Sequence, residues 1–160
     1  DEWVVDALRE YDGKQFVSAA KGALDLPESD EDKKKKEALE KELAPVLERV
    51  QTALDEYVKT VRVTDRLTDS PACLVNDEGS MSARQEKVLR DAGHDVPKQK
   101  RILELNAGHA VVQKLQGLGD DAQFGDWSAL LYDQALLAEG TMPTDPAAFS
   151  RRLTTLMANT

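Results

Sequence analysis

The chain has 160 residues, room for one domain of ordinary size and the edge of a neighbouring one. Hydrophobic residues make up 41% and charged residues 32%, enough for a core beneath a well-solvated surface. A formal charge of -9 works against electrostatic binding to nucleic acid or anionic membrane, and no apolar run nears the roughly 20 residues that cross a bilayer.

The lone cysteine, Cys73, has no disulfide partner in the chain, and no Cys or His pair has zinc-site spacing. That usage fits a reducing, cytoplasmic setting. Asp1-Glu2-Trp3 enters a helical pattern with no initiator methionine, so the sequence reads as part of something longer.

Val4, Ala7, Leu8 and Tyr11 have the spacing of one helix face, ended by Gly13. Gln15 to Ala20 then reads as a short strand around Phe16 and Val17, whose pairing partners would lie upstream. After Leu26-Pro27 comes a charge-dense stretch, Glu28 to Glu42, in which acids precede Lys33 to Lys36. That order suits a solvated connecting helix better than a basic docking patch.

Pro45 can open a new helix but would disrupt the interior of an old one. Val46, Val50, Leu54, Tyr57 and Val58 mark its buried face, and Val61 and Val63 alternate as a strand. Ala72 to Val75 predicts a second strand after the turn at Asp69-Ser70-Pro71. Ser82 to Ala92 predicts a helix, with Ser82 and Gln85 spaced as a capping box and Gly93 as the stop. Arg101 to Asn106 predicts a third strand, and His109 to Leu118 a short helix. Helices at Asp126 to Glu139 and Asp145 to about Ala158 close the chain, with Pro146 in the first turn of the last one. The fold class is α+β, a small mixed sheet packed with helices and ending in a helical hairpin.

Cys73, His94 and His109 could suggest Cys-His hydrolysis, but no nucleophile elbow, orienting acid or oxyanion loop accompanies them. Gly117 and Gly119 fall short of a phosphate-binding motif. No catalytic, cofactor or metal residue is therefore assigned. The terminal helices say more. Phe124, Trp127, Leu130, Leu131, Ala135, Leu136, Leu137 and Ala138 leave the first almost without a polar face, and Phe149, Leu153, Leu156 and Met157 stripe the second. The pair either packs on its own domain alone or also meets a second copy. The helix from Ser82 offers a similar choice. Met81, Gln85, Val88, Leu89 and Ala92 share one side, which is either core or a surface left for other proteins.

Several stretches resemble the heat-shock protein 90 family of molecular chaperones, its bacterial branch in particular. They are Arg66-Leu67-Thr68-Asp69-Ser70-Pro71-Ala72-Cys73-Leu74-Val75 with Met81-Ser82, then Ile102-Leu103-Glu104-Leu105-Asn106 with His109. Leu130 to Gly140, Asp145-Pro146 and Phe149 to Leu153 follow in the same order. The resemblance implies an ATP-dependent, dimeric chaperone whose ATP and magnesium site lies in an N-terminal domain outside this sequence. It divides the chain into the end of a middle domain (1–26), a charged connecting helix (27–44) and a C-terminal dimerisation domain (45–160).

By the same resemblance, the last two helices form a four-helix-bundle dimer, with Trp127, Leu130, Leu131, Leu137, Phe149, Leu153, Leu156 and Met157 at the interface. Trp3, Met81, Val88 and Leu89 match residues that contact non-native client proteins. Gln85 departs from the apolar residue often found at its position, and Ala107-Gly108 replaces the usual Pro-acidic pair. The final residues, Met157 to Thr160, lack the acidic tail that recruits helical-repeat co-chaperones, so no such partner is expected. The competing expectation is a purely structural dimerisation module, with client binding confined to upstream domains.

Overall fold

The computed structural model describes residues 10–16, 30–77, 80–81, 83–95 and 99–158. Its first element is a minimal antiparallel hairpin, β1 (Glu10–Tyr11) and β2 (Lys14–Gln15), in which Tyr11 faces Lys14. Asp12 and Gly13 form its two-residue turn with φ of 53° and 73°, the left-handed pair that an Asp-Gly type I′ turn requires. This corrects the reading of the start of the chain. Tyr11 is a strand residue rather than part of a helix face, and Phe16 lies past the end of β2. The partner of β2 is its immediate neighbour, because a two-residue turn closes a local pairing at little entropic cost. Val4, Ala7, Leu8, Val17 and Trp3 lie outside the described residues.

Helix α1 (Asp30–Ala53) runs unbroken for 24 residues with Pro45 inside it. The expectation of a new helix at Pro45 is thus overturned, and the boundary drawn between 44 and 45 falls within one helix. An interior proline removes one backbone hydrogen bond and crowds the preceding turn, at about 3 kcal/mol. Packing offsets that cost. Leu43, Val46 and Val50 are all buried, so the core-facing stripe continues on both sides of Pro45, which itself points to solvent. Each such side chain contributes roughly 1.5–3 kcal/mol.

After α1 a tight turn, closed by the Tyr57 and Val58 amides donating to Leu54 O, leads into β3 (Val58–Thr64). Tyr57, expected on the buried face, is 41% exposed, because the helix ends four residues before it. Strands β4 (Ala72–Val75) and β5 (Arg101–Asn106) complete a three-stranded mixed sheet with β5 in the centre. β5 runs parallel to β3 and antiparallel to β4. Leu103 and Leu105 point to the face covered by α1 and α4, and the alternate residues Glu104 and Asn106 point to the other.

Between β4 and β5 lies α2 (Ala83–Asp91), closed by Gly93 at φ 84° with the Gly93 and His94 amides donating to Arg90 O and Leu89 O. Ser82 and its expected capping box fall outside the described residues. Helix α3 (Ala110–Gln116) is capped by His109, whose Nδ1 accepts from the Val111 amide at 3.2 Å. Helix α4 (Asp121–Ala138) begins five residues earlier than the spacing suggested. Asp120 caps it, accepting from the Gln123 amide at 2.7 Å, and Phe124 buries in the first turn beneath the Arg49 guanidinium. Together these outweigh Gly125, which costs a helix only about 1 kcal/mol. Gly140 ends α4 by the same left-handed motif as Gly93, and α5 (Pro146–Ala158) folds back onto α4.

Candidate functional site: the amphipathic helix and the terminal hairpin

Helix α2 is amphipathic, but the residue it turns inward is Glu86. That side chain is 8% exposed and stands 3.9 Å from the Arg101 guanidinium at the start of β5. Val88, about 200° further round the helix, is 47% exposed, whereas Leu89, one turn on from Glu86, is half-buried, as is Met81 in the preceding loop. Core packing, one of the two readings of this stripe, would have buried Val88. The chain instead hides a carboxylate and leaves the valine in water.

Arg101 also pairs with Glu139, just beyond α4, so one cation touches groups at the ends of two helices. Sequence reasoning missed this bridge. Its signal was an arginine opening an otherwise apolar strand, Arg101-Ile102-Leu103.

The hairpin of α4 and α5 is asymmetric. Phe124, Leu131, Ala135 and Leu136 of α4 are buried in the chain's own fold, whereas α5 has no buried residue at all. Leu131, at 2% exposure, serves the intramolecular core and has no surface to offer a partner, which corrects its assignment to an interface. Trp127 is half-buried against the same core, with the Lys114 ammonium 5.4 Å above its ring. Leu130, Phe149 and Leu156 are half-buried, and Leu137, Leu153 and Met157 are exposed.

Polar contacts hold α5 in place. Asp145 accepts from the Ala148 amide at 2.9 Å, and Arg152 reaches Asp126 at 3.2 Å and Asp133 at 3.9 Å. Burial pushes the Asp133 carboxyl above its ordinary value, with Arg152 pulling the other way.

On the polar face of the sheet, Glu104 is 3% exposed and accepts from Arg62 Nε at 2.8 Å and from Arg66. Burial alone would raise its carboxyl, but the hydrogen bonds from Arg66 and Arg62 outweigh burial and hold it below the usual range. Cys73 lies 3.7 Å from the same carboxylate. Burial first, and then the Glu104 charge, push its thiol up to about 11. Asn106 donates to Leu67 O at 3.0 Å and to Ser70 O at 3.3 Å, tying down the loop before β4. The two stretches Arg66 to Val75 and Ile102 to Asn106 therefore meet as one clamp. The His109 imidazole caps α3 and the His94 backbone amide closes α2, and among the described residues no group of side chains is arranged to hold a metal. No described helix is long and apolar enough to cross a membrane.

This α+β domain, with its surface-exposed amphipathic helix and its helical hairpin, belongs to the Hsp90 protein family, whose model it matches over residues 1–160. Chaperone protein HtpG of Bordetella pertussis (strain Tohama I) is 50% identical over 159 residues, which is 98% of this chain and 25% of that protein. Chaperone protein HtpG of Burkholderia lata is 49% identical over 158 residues, with the same shares covered. The chain thus spans about a quarter of the length of the curated relatives it matches.

Proposed function

We propose that this chain is the C-terminal homodimerisation and client-contacting region of an ATP-dependent Hsp90-type chaperone that works in the cytoplasm. The observation that carries the reading is the state of α5, a 13-residue helix with no buried residue and with Leu153 and Met157 facing water. A helix that short is marginal without packing. A two-fold axis would place the same stripe of a second copy against it and close a four-helix bundle. Sedimentation across a dilution series tests this, with a concentration-dependent dimer expected.

Client contact is assigned to Val88 and Leu89 of α2 and to Met81 in the loop before it. The inward turn of Glu86 favours this over a purely structural module, since a helix built only for packing would bury its valine. Non-native polypeptides would meet a short, apolar surface of modest specificity. Nucleotide chemistry is assigned to other parts of an Hsp90-type chaperone, and of the paired glycines 117 and 119 the Gly117 amide is already spent on Lys114 O at 3.1 Å. Suppression of aggregation of a chemically denatured protein, with and without Val88→Ser, tests the client assignment.

A further inference from the structure

A cleft of about 440 Å³ opens between α2, the start of β5 and the end of α4. Tyr57 and Tyr132 line it, their ring centroids 5.5 Å apart, together with Leu136 and Met142. Two lining residues, Glu86 and Gln99, each bury a side-chain oxygen, Oε1, that no donor meets. The neighbouring Arg101 does not satisfy Glu86, because it engages Glu139 and stands 3.9 Å from the other Glu86 oxygen, beyond hydrogen-bond reach. Buried acceptors without donors are costly and rare in folded proteins, and a guest that supplies the missing N–H groups recovers that cost.

We propose that this cleft binds the guanidinium of an arginine side chain presented by another polypeptide. A guanidinium offers several N–H donors in one plane, enough to serve Glu86 and Gln99 together, and its flat face and aliphatic stem suit tyrosine walls. The Glu86 carboxylate turns toward the guest about its last side-chain bond, whose rotation is shallow. With Glu139 counted beside the lining residues Glu56 and Glu86, three carboxylates balance Arg90, Lys100 and Arg101, so the guest meets no excess of like charge. The volume falls in the range of about 300–1,000 Å³ typical of small-ligand sites.

The test uses the 160-residue chain without any client, so it stands apart from the chaperone reading. Arginine blocked at both ends is titrated by calorimetry and by chemical-shift mapping, beside equally blocked citrulline, its uncharged isostere, and free arginine. Saturable binding of blocked arginine is expected, with shifts at Gln99 and Lys100, at least as tight as free arginine and about tenfold tighter than citrulline, or ~1.4 kcal/mol. Glu86→Gln should weaken it by about tenfold or more. Met142→Trp should do the same by filling the mouth of the cleft, at a position 68% exposed where the fold is not at risk. Circular dichroism verifies that both variants remain folded. No binding of arginine at millimolar concentration, citrulline binding equally well, free arginine binding far more tightly, or full affinity in either folded variant would each overturn the proposal.

Discussion

Replacing Leu153 and Met157 by glutamate attacks the proposed bundle without touching the interior of the subunit. The two residues are one turn apart on α5 and are 39% and 72% exposed, so the apolar area at stake is the part still in water. Full burial of such a side chain contributes roughly 1.5–3 kcal/mol, and scaling by these exposures leaves about 2–3 kcal/mol per subunit. A two-fold interface counts that twice, giving ~4–6 kcal/mol as an upper bound. Four carboxylates brought together near the axis add desolvation and repulsion to the loss. A micromolar dimer is held by only about 8 kcal/mol, so the variant should be monomeric at tens of micromolar. Sedimentation velocity reads the mass, and circular dichroism on the same sample should retain the strands and α1, which do not depend on a partner. A variant that still sediments as a dimer would refute the placement of the interface on α5.

Val88→Ser should change stability in urea by no more than about 0.5 kcal/mol, as surface substitutions do, while suppression of client aggregation weakens. A loss of several kcal/mol would mean that α2 is buried. Glu104→Gln should destabilise the domain by about 3 kcal/mol, because it leaves Arg62 and Arg66 partly buried without their counter-charge. Since the folded-state carboxyl of Glu104 lies below its usual value, its stabilisation is present above the ordinary carboxylate range and is lost as pH falls through the folded value. The variant should therefore lose less stability than the parent on acidification, as read from urea midpoints between pH 6 and pH 3 (about the carboxylate range). Cys73, with its thiol raised from 9.0 to about 11, should carry about a hundredfold less thiolate at neutral or mildly alkaline pH than an unshifted cysteine. Its reaction with an aromatic disulfide reagent should be slower in proportion in the native protein, and equal rates before and after denaturation would contradict the burial.

Strands and turns were legible in the sequence where local chemistry decides them. Ala72 to Val75 and Arg101 to Asn106 were read with their observed limits, because alternating or continuous apolar runs bounded by Pro71 and Ala107-Gly108 leave few options. Elements settled by distant contacts were misread. Pro45 argued locally for a helix start, and only the burial of Leu43 on one side and Val46 on the other carries α1 through it. The start of α4 was placed too late because its anchor, Phe124 under Arg49, joins residues far apart in the chain.

Among the site residues, exposure separated what periodicity could not. Leu131 and Leu137 look equivalent in a helix that is apolar all round, yet one is core and the other faces solvent. The buried clamp was half visible, since a glutamate inside Ile102-Leu103-Glu104-Leu105 demands a cation, but nothing local names Arg62 and Arg66 as its partners.

The central position of β5 has a consequence for how the chain is made. β3 and β4 are consecutive in sequence but do not pair with each other, and both wait for the strand that comes last. Arg62 and Glu104, which face each other across the parallel pair, are 42 residues apart. On a ribosome adding about 5–20 residues per second, that interval lasts roughly 2–8 s. For that interval the valines of β3, and for the later part of it the apolar residues of β4, lack their partner strand and are open to wrong pairing and to whatever else binds extended chain. During synthesis, this part of a chaperone spends seconds in the condition of a client.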